Sequence, residues 1–99
     1  MSYYFIAQIR IDDTVEYQKY LDHAGEIFKR YKGEYLMVEN DPVVLEGQWD
    51  CTRTVLIRFN NTADFYDWYN SVEYQTILKH RLKGAECNTI LAKGLNHTD

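Results

Sequence analysis

"YYFIAQIRI", residues 3–11, alternates along its whole length. Tyr3, Phe5, Ala7, Ile9 and Ile11 form one apolar row; Tyr4, Ile6, Gln8 and Arg10 form a mixed one. Successive side chains of a strand point to opposite faces, so this stretch reads as a strand with a core face and a second, half-polar face. "RTVLIRF", residues 53–59, repeats the pattern, with Val55, Ile57 and Phe59 in the apolar row and Thr54, Leu56 and Arg58 in the mixed one.

Outward from these strands the periodicity changes. Over residues 13–33, Tyr17, Tyr20, Leu21, Ala24, Ile27, Phe28 and Tyr31 recur at helical spacing. Asp13 followed by Glu16 is a capping-box pattern, and Gly33 is expected as the left-handed residue that closes the helix. "EYLMV" (34–38) and "VVLEG" (43–47) are short strand candidates around a turn at 39–42 that contains Pro42. "NTADFYDWY" (61–69) opens a second helical region. Asn70 and Ser71 favour caps and turns, so a break is expected there, with a fresh helix running to about Lys83 and closed by Gly84. "ECNTILAKG" (86–94) reads as a last strand whose facing stays open. Residues 1–95 are expected to form a single domain and 96–99 a C-terminal tail.

The order β-α-β-β-α-β is the split βαβ arrangement called ferredoxin-like, an α+β sandwich of a four-stranded antiparallel sheet with two helices on one face. Helices on one face account for one apolar row per strand. The other face keeps Ile6 and Leu56 beside Gln8, Arg10 and Arg58. A bare sheet face with large aliphatics is an interface or a liability, so a homodimer through the open sheet face is expected.

Composition narrows the function. The chain has 99 residues, 45% hydrophobic and 26% charged, as in an ordinary globular domain. Its net charge is −4 and no Lys/Arg cluster stands out, which disfavours nucleic acid and acidic membranes as partners. The fold order is shared with RNA-recognition domains, but the mixed row of residues 53–59 lacks the aromatic pair that stacks bases. Two cysteines, Cys51 and Cys87, make no disulfide framework, and the first residues lack the pattern of a signal peptide. A cytoplasmic protein with free thiols is the expectation. Metal-ligand spacing, a glycine-rich phosphate loop and a nucleophile elbow are all missing, so no cofactor and no metal are expected.

The chemistry-bearing candidates cluster in "DWYNSVEYQTILKHR", residues 67–81. Tyr74, Ile77, Leu78 and Arg81 share one helix face. Burying an unpaired guanidinium costs several kcal/mol. Arg81 is therefore expected to pair with an internal carboxylate, Glu46 or Asp67, to snorkel to the surface, or to hold an anionic ligand. Tyr69, Ser71 and Tyr74 surround the helix break, where hydroxyls and freed amides suit an anion; packing and capping are the plainer roles. Trp49 and Trp68 could roof a pocket or plug the core. The expected ligand site is thus Trp49, Trp68, Tyr69, Ser71, Tyr74 and Arg81, with Tyr17 and Tyr20 along its wall and a small anionic or aromatic ligand. His23 and Tyr69 are the candidates for proton transfer. The alternative is a non-enzymatic dimeric module in which these side chains only pack.

The runs "LEGQWDCTRTVLIRF" and "ADFYDWYNSVEYQ", then Arg81 and "AKG", resemble an uncharacterised family of small bacterial proteins, domain of unknown function 1330, within the dimeric α+β barrel superfamily. Trp-Tyr-x-Ser-x-Glu-Tyr-Gln at 68–75 is the most specific part, with Val72 where relatives usually carry proline. The resemblance implies a ferredoxin-like subunit paired sheet to sheet, and no assigned activity. It marks Glu46, Trp49, Arg53, Trp68, Tyr69, Ser71, Tyr74 and Arg81 as pattern residues.

Overall fold

The structure is a computed structural model, and it describes residues 2–95. The tail expected over 96–99 lies outside the described residues. The elements follow as β1 (Tyr3–Ile11), α1 (Thr14–Phe28), β2 (Glu34–Glu39), β3 (Arg53–Phe59), α2 (Thr62–Tyr69), α3 (Val72–Gly84) and β4 (Ala85–Lys93). The four strands form one antiparallel sheet in the order β2-β3-β1-β4. This is the ferredoxin-like α+β fold, with the second helical region divided into α2 and α3 at the expected break.

The apolar rows do what their spacing requires. Phe5, Ala7 and Ile9 of β1 and Val55, Ile57 and Phe59 of β3 are buried on the helix side. Residues opposite one another across a ladder share a face. Leu91 faces Phe5 and Cys87 faces Ile9, which settles β4: Ala85, Cys87 and Leu91 point to the helices. Helix α1 contributes Tyr17, Tyr20, Ala24, Ile27 and Phe28; α2 and α3 contribute Phe65, Trp68, Tyr74, Ile77 and Leu78. Trp68, 1% exposed, is the hub. Phe5 and Phe28 meet it edge-on at 5.6 and 5.5 Å, Phe59 stacks at 5.7 Å, and Tyr74 lies 4.3 Å away. Such aromatic pairs are worth about 0.5–1.5 kcal/mol each beyond the area they bury.

Three side chains start the three helices. Asp13 accepts from the Glu16 backbone N–H at 3.0 Å, Asn61 from that of Asp64 at 2.8 Å, and Ser71 from that of Tyr74 at 3.1 Å. At the other end α1 departs from the expected span. It stops at Phe28, and the next residues tighten into i→i+3 turns, Arg30 N–H to Ile27 and Tyr31 N–H to Phe28. Gly33 is not left-handed, because Gly47 is the one described residue with positive φ. Gly33 is instead required by contact. A Cβ there would sit 2.5 Å from the Phe28 ring and 2.7 Å from that of Phe59.

Residues 43–47 are not a strand. Pro42 has no N–H to give a ladder, Gly47 takes φ 76°, and Val43 and Leu45 stand in solvent. The β2–β3 connection is irregular throughout, and β2 pairs directly with β3.

Gly84 fixes how α1 and α3 meet. Its carbonyl accepts the N–H groups of both Asp12 and Asp13 at 2.9 Å, and a Cβ on it would lie 2.8 Å from the Tyr17 backbone nitrogen. Backbone cannot give way as a flexible side chain can. Gly84→Ala is therefore expected to destabilise the protein by about 1–3 kcal/mol through overpacking. Gly25, in the last turn of α1 with nothing within 4 Å of its added Cβ, gives the opposite sign: Gly25→Ala should stabilise by about 0.5–1 kcal/mol at most. Urea midpoints of the two variants check both.

Candidate functional site

Between α1 and the helix side of the sheet lies a cavity of about 240 Å³. Its floor is aliphatic, from Ala7, Ile9, Val55 and Ile57. Its walls are aromatic, from Tyr17 and Tyr20 of α1, Tyr35 of β2 and Trp68 of α2. Two cations line it, Arg53 and Arg81, and no acidic residue does.

Arg81 is 2% exposed. Neither carboxylate expected beside it is there: Glu46 and Asp67 are exposed, and among the described residues Arg81 has no ion pair. What it has is the Tyr20 ring, 5.7 Å from the guanidinium carbon, and the Cys87 thiol. Its Nε and Nη1 are buried without a hydrogen-bond partner. Two more buried donors lack partners, the Tyr17 hydroxyl and Trp68 Nε1. All three residues line the same cavity. Buried polar groups are almost always paired, so a concentration of orphans marks a place where something else supplies the acceptor.

The local electrostatics keep these groups in their donor states. Burial alone would lower the Arg81 pKa, but an arginine ionises so far above neutrality that the guanidinium stays charged. Burial pushes the Tyr17 phenol up, against the opposing pull of Arg53 and then Arg81. It pushes Tyr74 up to about 12, with Arg81 opposing. Both phenols are therefore protonated at neutral pH.

The other expected site residues fall around the cavity rather than on it. Tyr74 stands one layer behind, its hydroxyl 2.8 Å from that of Tyr20. Tyr69 is half-buried and stacks on Phe65 at 5.2 Å. The Ser71 hydroxyl is fully used in the chain break: it donates to the Trp68 carbonyl at 2.8 Å while capping α3. Trp49 lies on the opposite side of the sheet. Its Nε1 donates to Thr54 at 3.1 Å, in the mixed row, and it borders a polar depression with Gln8, Arg10 and Asn88. Strand alternation explains this, since Thr54 faces away from the helices. His23 is exposed on α1. Tyr35 and Val38 line the cavity without having been singled out, and Arg53, marked only as a pattern residue of the resemblance, lines it without having been expected in the ligand site. A signal for Arg53 was present: it stands two residues before Val55 and so extends the apolar row of β3.

Cys51 and Cys87 are free thiols. Among the described residues no group of three His, Cys, Asp or Glu side chains could hold a metal ion, and no helix is long and apolar enough to cross a membrane.

Fold and cavity together define a small ferredoxin-like α+β protein with a charged, partly unsatisfied pocket under its helices. The chain belongs to the family described as domain of unknown function (DUF1330), whose pattern matches residues 2–95. Among solved structures it is similar to RPA0582, a protein of unknown function from Rhodopseudomonas palustris, at 18% identity and TM-score 0.78, covering 96% of this chain and 83% of that one. It is also similar to SnoaB, a cofactor-independent oxygenase from Streptomyces nogalater, at 9% identity and TM-score 0.67, covering 96% and 94%. The de novo designed protein Foldit4 matches at 14% identity and TM-score 0.64, covering 96% and 100%. At these identities the likeness is one of fold. No curated protein matches the chain.

A side-chain hydrogen bond between α1 and α3 joins Glu16 to His80. His80 Nδ1 lies 2.5 Å from Glu16 Oε2. The hydrogen bond with His80 holds the Glu16 carboxyl below its ordinary range, against its own desolvation and with help from Lys19. Because the folded pKa is the lower one, the ionised carboxylate favours the folded state above the ordinary glutamate value. That gain is lost as pH falls through the depressed one. The stability advantage of the wild type over Glu16→Gln should accordingly be present above the ordinary glutamate value and shrink as pH falls below it, as read from urea midpoints along a falling pH series.

Proposed function

We propose that this protein is a homodimeric small-molecule-binding protein, built to act without a cofactor, whose pocket between α1 and the sheet takes a small organic anion. The observation that carries the reading is Arg81: a guanidinium 2% exposed, on a cavity wall, with two buried nitrogens unpartnered. A carboxylate seated there would meet a charged donor, with the Trp68 Nε1–H and the Tyr17 hydroxyl within the same enclosure. The aromatic walls suit a planar or apolar body. Charge-assisted hydrogen bonds in surroundings of low dielectric are strong and directional.

If the pocket performs chemistry, Tyr17 is the group placed for proton transfer. Its unfilled hydroxyl lies on the cavity, whereas His23 points to solvent and Tyr69 packs in the core. With its pKa raised, Tyr17 would serve as an acid or hydrogen-bond donor rather than as a base. The similarity to a cofactor-independent oxygenase supports a pocket of this kind and names no substrate for this chain.

The competing reading is a non-enzymatic module in which Arg81 only packs, and its contact with Tyr20 favours that view. The variant Arg81→Met separates the two. A buried charge without a partner costs stability, and replacing it with an apolar side chain of similar length should relieve that cost. The expected outcome is a protein more stable by about 1 kcal/mol or more in urea unfolding, and one that no longer shows the thermal shift wild type gives with small aromatic carboxylates. A large loss of stability with no carboxylate binding in the wild type would overturn the pocket reading in favour of the module.

The dimer rests on the opposite face. Tyr4, Ile6 and Leu56 are only half-buried there and Ile90 is 58% exposed, interleaved with Gln8, Arg10 and Arg58. Light scattering at micromolar concentration should give twice the 11.8 kDa chain mass, and Leu56→Asp should halve it. A monomeric wild type would rule this assembly out.

A further inference from the structure

The proposed anion pocket has a second cation, and its placement says more about the ligand. Arg53, Ile9 and Cys87 occupy one transverse row of the sheet, Arg53 opposite Ile9 on β3 and Cys87 opposite Ile9 on β4. Arg81 reaches that row from α3 beside Cys87. Arg53 and Cys87 thus stand at opposite ends of a row that spans two strand spacings, roughly 10 Å between backbones. Tyr17 lies within electrostatic reach of both arginines. The lining between them is aromatic and aliphatic and contains no carboxylate, and among the described residues neither arginine has an ion pair. In a chain of net charge −4, an enclosed pair of unneutralised cations is conspicuous. Like charges sharing a low-dielectric enclosure repel, and a ligand that supplies only one negative charge leaves half of the field unmet.

We propose that the ligand is a compact dianion, an aromatic or similarly flat dicarboxylate. One acid group sits deep, against Arg81, Trp68 Nε1 and the Tyr17 hydroxyl; the other sits against half-buried Arg53. Arg53 is then the residue that sets specificity for the second charge. A single carboxylate shared by both arginines fits less well, because Arg53 stands on β3 whereas Arg81 comes from α3 beside Cys87 of β4, with β1 between the two strands. This inference rests on the anion-pocket reading above and adds the ligand's charge and shape to it.

The test uses the intact protein with paired probes, phthalate, isophthalate and terephthalate against the corresponding carbamoylbenzoates, in which one carboxylate becomes a neutral amide of nearly the same size. Calorimetry at low salt measures each. At least one diacid is expected to bind the wild type roughly tenfold or more tightly than its amide partner. Arg53→Gln should collapse that ratio to about one, and Arg81→Gln should weaken both members of the pair. Equal binding of diacid and amide by the wild type would overturn the dianion inference and leave the anion pocket standing. A ratio that survives Arg53→Gln would overturn the role of Arg53. Binding of none of the six compounds, with no shift from benzoate either, would overturn both the inference and the reading beneath it.

Discussion

A guanidinium held out of water must be answered by something, and much of the helical layer is arranged around that demand. Arg81 enters the pattern of α3 where a leucine would be unremarkable. The Tyr20 face and the Cys87 thiol take up part of its field. The Tyr20–Tyr74 hydroxyl pair fixes the ring that does so, and Ser71 fixes the helix that carries Tyr74 by capping its first turn.

The fold was legible because it is written in local periodicities. The two-residue alternation of residues 3–11 and 53–59 and the helical stripe from Tyr17 to Phe28 need no knowledge of distant neighbours. Boundaries set by long-range contact were not legible. Gly33 looks like a helix stop, but its role is to let two phenyl rings approach, one of them from β3. Residues 43–47 carry strand-forming side chains, yet β2 takes the place beside β3 and leaves them nothing to pair with.

The site was legible in part, for the same reason. Arg81 and Trp68 announced themselves within one helical stretch. Trp49 misled because an aromatic residue in a loop does not say which side of a sheet it will fold over; the facing of Thr54 decides that. Arg53 was hidden in plain view. Its place two residues before Val55 puts it on the inward face, but a charged residue at the head of an apolar row reads first as the point where a strand leaves the core.

The cavity's walls are also unequal in what holds them. Trp68 and Arg81 are locked among the helices, and the floor belongs to central strands bonded on both sides. Tyr35 and Val38 belong to β2, an edge strand whose pairing with β3 is interrupted between Tyr35 and Met37 and whose residues are nearly all exposed. Edge strands with a bulge resist sticking to foreign sheets. They are also the part of a sheet that bends at least cost. The enclosure therefore has one compliant side, made by the edge strand, and its other sides are held on both flanks.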